Sequence, residues 1–174
     1  MPLTTPLSSF VRDVADFPKA GILFRDITPL LANAEAFRHA VSGMAEPVLT
    51  LQPTHVLGLE SRGFIFGSAL AQKLGIGFVP ARKPGKLPLS TFSETYGLEY
   101  GTDALEIHQD AFKAGDRVLI VDDVMATGGT AAAAQRLVQR TGAQAVALTV
   151  FIELTSLPGR EKVEGLPVFS LLRY

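Results

Sequence analysis

Two adjacent carboxylates, Asp122 and Asp123, precede a loop of small residues that ends at Thr130. Small residues allow backbone N–H groups to approach a phosphate closely, and the first turn of a following helix attracts negative charge. The hydroxyls of the two threonines can donate further hydrogen bonds. The carboxylates cannot bind that phosphate, but they can accept hydrogen bonds from ribose hydroxyls. The pattern therefore predicts a sugar-phosphate site formed by Asp122, Asp123, Ala126, Thr127, Gly128, Gly129 and Thr130.

Other phosphate-binding motifs fit this stretch less well. A Walker loop requires G-K-[ST], and no lysine follows Gly129. A dinucleotide fingerprint has a different glycine spacing, and its acidic residue follows the loop instead of preceding it. The structural alternative is an ordinary turn with a solvated acidic pair, because a G-G pair after a strand is commonly a turn.

The elements around this motif predict an α/β fold. Val118 to Val121 is an unbroken apolar run, which is typical of a central parallel strand buried on both faces. Strands and helices alternate on either side of it, and Gly75 and Gly142 are natural helix ends. We expect strands at 55–59, 76–81, 105–108, 145–152 and 168–172, and helices at 64–74 and from about 130 to 142. The fold class is predicted to be a single α/β domain, with a mainly parallel central sheet flanked by helices.

Other parts of the chain give further predictions. Residues 8–14 are weakly patterned and predict a short helix, whereas 35–51 keep helical spacing and predict an amphipathic helix with Asn33 near its cap. Residues 82–103 contain glycine and proline breaks and little apolar periodicity, and we expect a long loop there. Such a loop inside a compact domain is commonly functional.

Composition excludes several functional classes. The chain has 174 residues, a net charge of −1 and no cysteine. Disulfides and thiol chemistry are therefore excluded, and the charge gives no reason to expect nucleic acid or an anionic membrane as a partner. The first ten residues have no signal-peptide pattern, and no apolar run approaches the ~18 residues of a membrane span. A cytoplasmic protein is expected.

Six segments, in order, resemble the type I phosphoribosyltransferases and, more narrowly, the adenine phosphoribosyltransferase family. The V-D-D-V-M-A-T-G-G-T motif fits any type I member, whereas F-R-D-I and R-K-P-G-K-L-P narrow the resemblance to the adenine-specific branch. The others are G-L-E-S-R-G-F, Y-G-L-E-Y and F-I-E-L-T-S-L-P-G-R. The resemblance implies the type I phosphoribosyltransferase fold, with a hood or base-binding segment at 1–33 and a flexible catalytic loop at 82–103.

The activity implied by the resemblance is a pentosyl transfer in purine salvage. Adenine displaces pyrophosphate from 5-phosphoribosyl 1-diphosphate (PRPP), giving AMP, with Mg2+ as cofactor held mainly through the substrate. A homodimer is also implied. Positive charge grows on the ribose as its anomeric C–O bond breaks, and negative charge grows on the pyrophosphate, so the site must stabilise both.

The resemblance also assigns roles to individual residues. Pyrophosphate would be bound by Glu60, Ser61, Arg62, Arg82, Lys83 and Lys86, with a cis peptide between the first two. Adenine would be bound by Leu23, Phe24, Arg25 and Leu154. The catalytic set would be Glu99, Arg62 and Tyr100, with a carboxylate on a closing loop able to accept the N9 proton.

Two alternatives to this function are open from the residues. One is a purine transferase for guanine, hypoxanthine or xanthine. The other is a regulator that senses PRPP without catalysis, which would need a nucleic-acid-binding surface. The 16 basic against 17 acidic residues disfavour the regulator.

Overall fold

The computed structural model describes residues 5–97 and 102–174. The chain divides into two compact units, with the boundary between Gly43 and Met44. The first unit therefore extends ten residues beyond the hood segment expected from the sequence. Within the described residues, no helix is both long enough and apolar enough to cross a membrane.

The first unit is built around a small antiparallel sheet. A 3₁₀ helix at Leu7–Phe10 leads into β1 (Arg12–Ala15), which pairs with β2 (Leu23–Asp26), and α1 (Thr28–Ala32) follows. The helix predicted over 8–14 is therefore wrong beyond its first turn. Val14 pairs with Phe24 across the two strands, a tertiary contact that overrides a weak local pattern.

The predicted amphipathic helix is divided in two. α2 (Ala34–Ala45) ends just before a 3₁₀ helix at Glu46–Leu51. Pro47 explains the change, because proline lacks the N–H that would continue the α-helical hydrogen bonds. The predicted cap is confirmed: the side-chain oxygen of Asn33 accepts hydrogen bonds from the backbone N–H groups of Glu35 (3.1 Å) and Ala36 (2.9 Å).

The second unit contains the predicted parallel sheet. Its strands are β3 (His55–Leu59), β4 (Gly77–Ala81), β7 (Arg117–Met125), β8 (Gln144–Glu153) and β9 (Val168–Arg173), in the spatial order β4-β3-β7-β8-β9 with every pairing parallel. The sheet is flanked by α3 (Gly63–Leu74) and α4 (Gly129–Arg140). The α/β prediction is confirmed.

The central strand is longer than its apolar run. Val118 to Val121 are fully buried in β7, and the strand continues through Asp122 and Asp123 to Met125. The acidic pair thus lies within the strand, not after it. Because successive strand residues point to opposite faces, the two carboxylates have different surroundings.

The region predicted as a long loop contains a strand. β5 (Thr91–Gly97) pairs in antiparallel register with β6 (Thr102–His108), so irregular structure is confined to the first part of 82–103 among the described residues. The hairpin is attached to α4, since Glu94 accepts hydrogen bonds from Arg136 (2.9 Å) and Arg140 (3.1 Å). Thr91, Phe92, Thr95 and Tyr96 are of residue types common in strands, so the sequence contained a signal for β5 that the loop prediction did not use.

Candidate active site

The phosphate loop, defined here as Ala126 to Gly128, joins β7 to α4 at the carboxyl edge of the sheet. Gly128 stands at the N-cap of α4 with a φ of +77° and provides no side chain to cap the helix. First-turn N–H groups of α4 are therefore available to an anion. A cavity of about 180 Å³ opens here, lined by Asp122, Val124, Met125, Ala126, Thr127, Gly128, Thr130, Ala131, Leu148 and Val150.

Gly128 is required by the protein's own packing as well as by its φ. A Cβ atom on this residue would lie 2.2 Å from the carbonyl oxygen of Gly159, and a Cβ on Gly159 would lie 2.5 Å from the carbonyl oxygen of Ala126. The two backbone segments thus touch directly. The sequence pattern attributed the small residues to ligand approach alone, whereas the structure adds a backbone contact from a distant segment.

The acidic pair is more buried than the sequence suggested. Asp123 is only 4% exposed, and its Oδ2 lies 2.8 Å from Nε of Arg62. Asp122 Oδ1 accepts a hydrogen bond from the backbone N–H of Asp123 (2.9 Å). Burial, together with the neighbouring Asp123 carboxylate, raises the pKa of Asp122 well above its ordinary value. The structural alternative of a solvated acidic pair therefore does not hold for Asp123, whereas Asp122 is partly exposed and lines both cavities.

A glycine that the motif search missed sets the position of this pair. Gly63 begins α3, and a Cβ on it would lie 2.7 Å from the Val121 carbonyl oxygen and 3.0 Å from Oδ1 of Asp122. The helix approaches β7 closely only because this residue is glycine. Its place in the E-S-R-G turn was the available signal.

A second cavity of about 410 Å³ adjoins the first. Its lining consists of Glu60, Ser61, Arg62, Lys83, Tyr96, Asp122, Asp123, Val124, Ala126 and Thr130. Four of these residues, Asp122, Val124, Ala126 and Thr130, line both cavities. The peptide between Glu60 and Ser61 is cis, as the resemblance implied.

Glu60 accepts hydrogen bonds from three groups in the segment that follows β4. Its carboxylate accepts hydrogen bonds from Arg82 Nε (3.0 Å), the Lys83 backbone N–H (2.7 Å) and Lys86 Nζ (3.1 Å). Burial opposes ionisation here, but these three donors together lower the pKa of Glu60 to about 2. The carboxylate is therefore charged at neutral pH and holds the Arg82 and Lys86 side chains next to it.

Lys83 has partners that sequence reasoning did not single out. Its ammonium group donates to the Tyr96 hydroxyl (2.6 Å) and is paired with Asp103. Burial works against the charged form, but these contacts raise the pKa of Lys83 and lower that of Asp103. No local pattern marks Asp103, because it faces Lys83 only after β5 and β6 have paired.

The remaining predicted residues belong to three other segments of the chain. Glu99 and Tyr100 are outside the described residues. Leu23, Phe24 and Arg25 lie in β2 of the first unit, where the Phe24 ring meets Phe17 edge-on at 5.1 Å. Leu154 follows β8 in the second unit and donates its N–H to the Met125 carbonyl (3.0 Å). Among the residues that the structure describes, no group of three or more His, Cys, Asp or Glu could hold a metal ion.

Comparison with known proteins gives one consistent result. A family model described as "Phosphoribosyl transferase domain" matches residues 28–170. The adenine phosphoribosyltransferase of Carboxydothermus hydrogenoformans is 57% identical over 97% of this chain and 99% of its own, and that of Desulfitobacterium hafniense is 54% identical over 95% of each.

Solved structures agree with the sequence relatives. The adenine phosphoribosyltransferase of Thermoanaerobacter pseudethanolicus superposes with a TM-score of 0.94 at 47% identity, covering 97% of this chain and 98% of that one. The enzyme of Saccharomyces cerevisiae, solved with an imino-altritol bisphosphate and adenine, has a TM-score of 0.89 at 43% identity, with 95% and 96% covered.

The acidic pair can be tested by near-isosteric substitution. Asp123→Asn removes the charge facing Arg62, and Asp122→Asn removes the carboxylate shared by both cavities. We expect each to lower kcat/KM at least about tenfold, which corresponds to about 1.4 kcal/mol. Asp110→Asn, at an exposed position after β6, is the matched control and should act like wild type. Wild-type kinetics in both site variants would contradict the assignment.

The phosphate loop can be tested with a pair of glycines. Gly128→Ala places a Cβ against Gly159, whereas Gly75→Ala meets nothing within 4 Å although its φ is similarly positive, at +68°. We expect Gly128→Ala to raise the KM for PRPP more than about tenfold, and Gly75→Ala to change it less than about twofold. Both variants are compared by steady-state kinetics. An equal effect on the KM for PRPP and on that for the base would show that residue 128 acts as a general structural element.

Proposed function

The chain belongs to the adenine phosphoribosyltransferase family, and we propose that it transfers the 5-phosphoribosyl group of PRPP to N9 of adenine, giving AMP and pyrophosphate in purine salvage. The observation that supports this most is the sharing of Asp122, Val124, Ala126 and Thr130 by two adjoining cavities. One cavity is bounded by the phosphate loop and the other by cationic side chains. A ribose carrying a phosphate on one side and a pyrophosphate on the other fits this arrangement.

The phosphate loop and the first residues of α4 are proposed to hold the 5′-phosphate together. They would use the N–H groups of residues 126–130 and the hydroxyls of Thr127 and Thr130. Asp122 and Asp123 are proposed to accept hydrogen bonds from the ribose hydroxyls. The negative charge that the pair carries would also lie next to the ring on which positive charge develops, so it would stabilise the transition state more than the ground state.

The basic residues around the second cavity are proposed to stabilise the leaving pyrophosphate. Arg62 and Lys83 line this cavity, and Arg82 and Lys86 form hydrogen bonds with its Glu60, so these four residues would supply the positive charge. Ser61 follows the cis peptide at the cavity wall. Glu60 cannot bind pyrophosphate through its charged carboxylate. Since that carboxylate contacts Arg82, Lys83 and Lys86, its proposed role is to position these residues.

Mg2+ is the proposed cofactor. It prefers oxygen ligands and retains several waters, so it can be held mainly through the oxygens of the substrate, without a dedicated protein cage. When bound, it would neutralise charge on the departing pyrophosphate. A homodimer and a cytoplasmic location are proposed from the family resemblance.

Base binding is proposed to use Leu23, Phe24, Arg25 and Leu154, as the family resemblance implies. Phe24 would offer an aromatic face and Leu154 an aliphatic one, and backbone groups of Leu23 and Arg25 would form hydrogen bonds with the adenine edge. The Arg25 side chain itself pairs with Asp13, so it would not read the base.

Glu99 is proposed as the group that accepts the N9 proton or stabilises the ribose cation, and Tyr100 as its neighbour in the closing segment. Glu99→Gln keeps the shape but removes the basic oxygen, so we expect kcat to fall at least about tenfold while both KM values change less than about threefold. Single-turnover kinetics separates the chemical step from product release. An unchanged chemical rate would remove Glu99 from the mechanism.

Base choice tests the function as a whole. Adenine presents an amino donor beside the N1 acceptor, whereas hypoxanthine and guanine present the reverse pattern. A fixed backbone C=O and N–H pair that matches adenine would therefore place its acceptor opposite O6 and its donor opposite N1–H of a 6-oxopurine. Sites built on such hydrogen bonds discriminate by about 10⁴ or more. Nucleotide formation from PRPP, Mg2+ and each base should favour adenine at least about a thousandfold in kcat/KM.

Arg25→Ala is the matched control, and it should leave that preference nearly unchanged because only the side chain is altered. Comparable turnover of hypoxanthine by the wild-type chain would overturn the adenine assignment and support a 6-oxopurine transferase.

A further inference from the structure

The segment after β8 covers the outer side of the phosphate loop. It contains a 3₁₀ helix at Gly159–Lys162. The first residue of this helix makes the backbone contact described above: the Gly159 carbonyl occupies the space beside Gly128, and the Gly159 Cα faces the Ala126 carbonyl. The shape of the phosphate loop therefore depends on where this short helix lies.

One ion pair attaches the short helix to the sheet. Arg160 Nε and Nη2 donate to the two oxygens of Glu153, at 2.6 and 2.8 Å, and Nη1 donates to the Val168 carbonyl at 3.1 Å. Glu153 is only 3% exposed, and the Ser170 hydroxyl donates to the same carboxylate. A bidentate pair with a buried carboxylate has defined geometry, unlike most surface ion pairs.

The position of Glu153 makes this attachment relevant to the loop. Glu153 ends β8 and is paired in register with Met125, the residue directly before Ala126. The carboxylate is therefore fixed to the sheet where β7 continues into the phosphate loop. Hydrogen bonds from Arg160 outweigh burial and lower the pKa of Glu153 to about 2, so the pair stays charged at neutral pH.

We propose that Glu153 and Arg160 are positioning residues for the 5′-phosphate site, and that they act by holding Gly159 against Ala126 and Gly128. This inference rests on the proposed function of the phosphate loop. Neither residue lines the cavity of that loop, so they act through the backbone and not by touching the substrate. Loss of the pair would release the short helix and let the loop open, which weakens phosphate binding more than base binding.

Arg160→Met is the main test, and Arg173→Met is its matched control. Arg173 Nε also lies near Glu153, at 3.5 Å, but its side chain is 62% exposed and belongs to β9. We expect Arg160→Met to raise the KM for PRPP and the Kd for AMP about tenfold or more, with the KM for adenine changed less than about twofold. Arg173→Met should change all three less than about twofold.

Two further variants keep the inference testable if Arg160→Met does not fold. Arg160→Lys retains the charge but not the two-pronged contact, so the same selective weakening should appear in milder form. Gly159→Ala disturbs the contact from the other side and should reproduce the phosphate-selective loss. Thermal unfolding of each variant checks that the fold persists.

The inference would be overturned by unchanged KM and Kd values in folded Arg160 variants, by equal effects of Arg160→Met and Arg173→Met, or by parallel weakening of PRPP and adenine. The proposed function is judged separately on the wild-type chain. AMP formation by wild type, combined with indifferent Arg160 variants, would reject only the positioning role.

Discussion

The close approach of two backbone segments, at Gly128 and Gly159, is the constraint on which the shape of the phosphate loop depends. A carbonyl oxygen lies 2.2 Å from where a side chain at residue 128 would begin, so only glycine fits there. The contact with Gly159 fixes one side of the phosphate loop, and the end of β7 fixes the point where the loop begins. A loop held on both sides can present its N–H groups to a phosphate without first losing conformational freedom.

The charged side chains of the site are likewise held in place by partners before any ligand binds. Arg62 faces Asp123, the Glu60 carboxylate holds Arg82 and Lys86, and Lys83 is paired with Asp103. Buried or half-buried charges need partners, because an unpaired ion in such surroundings is strongly destabilising. In this chain the acidic partners also keep the cations around the cavity. Positive charge is therefore already assembled beside the second cavity, and little reorganisation would be needed to stabilise a pyrophosphate that leaves there as proposed.

The hairpin of β5 and β6 extends this organisation to the other wall of the site. Arg136 and Arg140 join its Glu94 to α4, the helix that begins at the phosphate loop. Tyr96, in the same hairpin, contacts Lys83. The described part of this hairpin is thus joined both to the helix that follows the phosphate loop and to a cation of the second cavity.

The sequence by itself determined the five strands of the parallel sheet, the two helices that flank it and the helix end at Gly75, because each depends on local periodicity or on the φ preference of glycine. The strand β5 was not predicted, because the glycine and proline breaks before it favoured a loop over the strand-forming residues of 91–96, and the division of the helix at Pro47 was also missed. Only the tertiary structure decided the burial of Asp123, the cation-holding role of Glu60 and the pairing of Glu153 with Arg160. These depend on the meeting of distant segments, and no local pattern encodes which charges become neighbours once water is excluded.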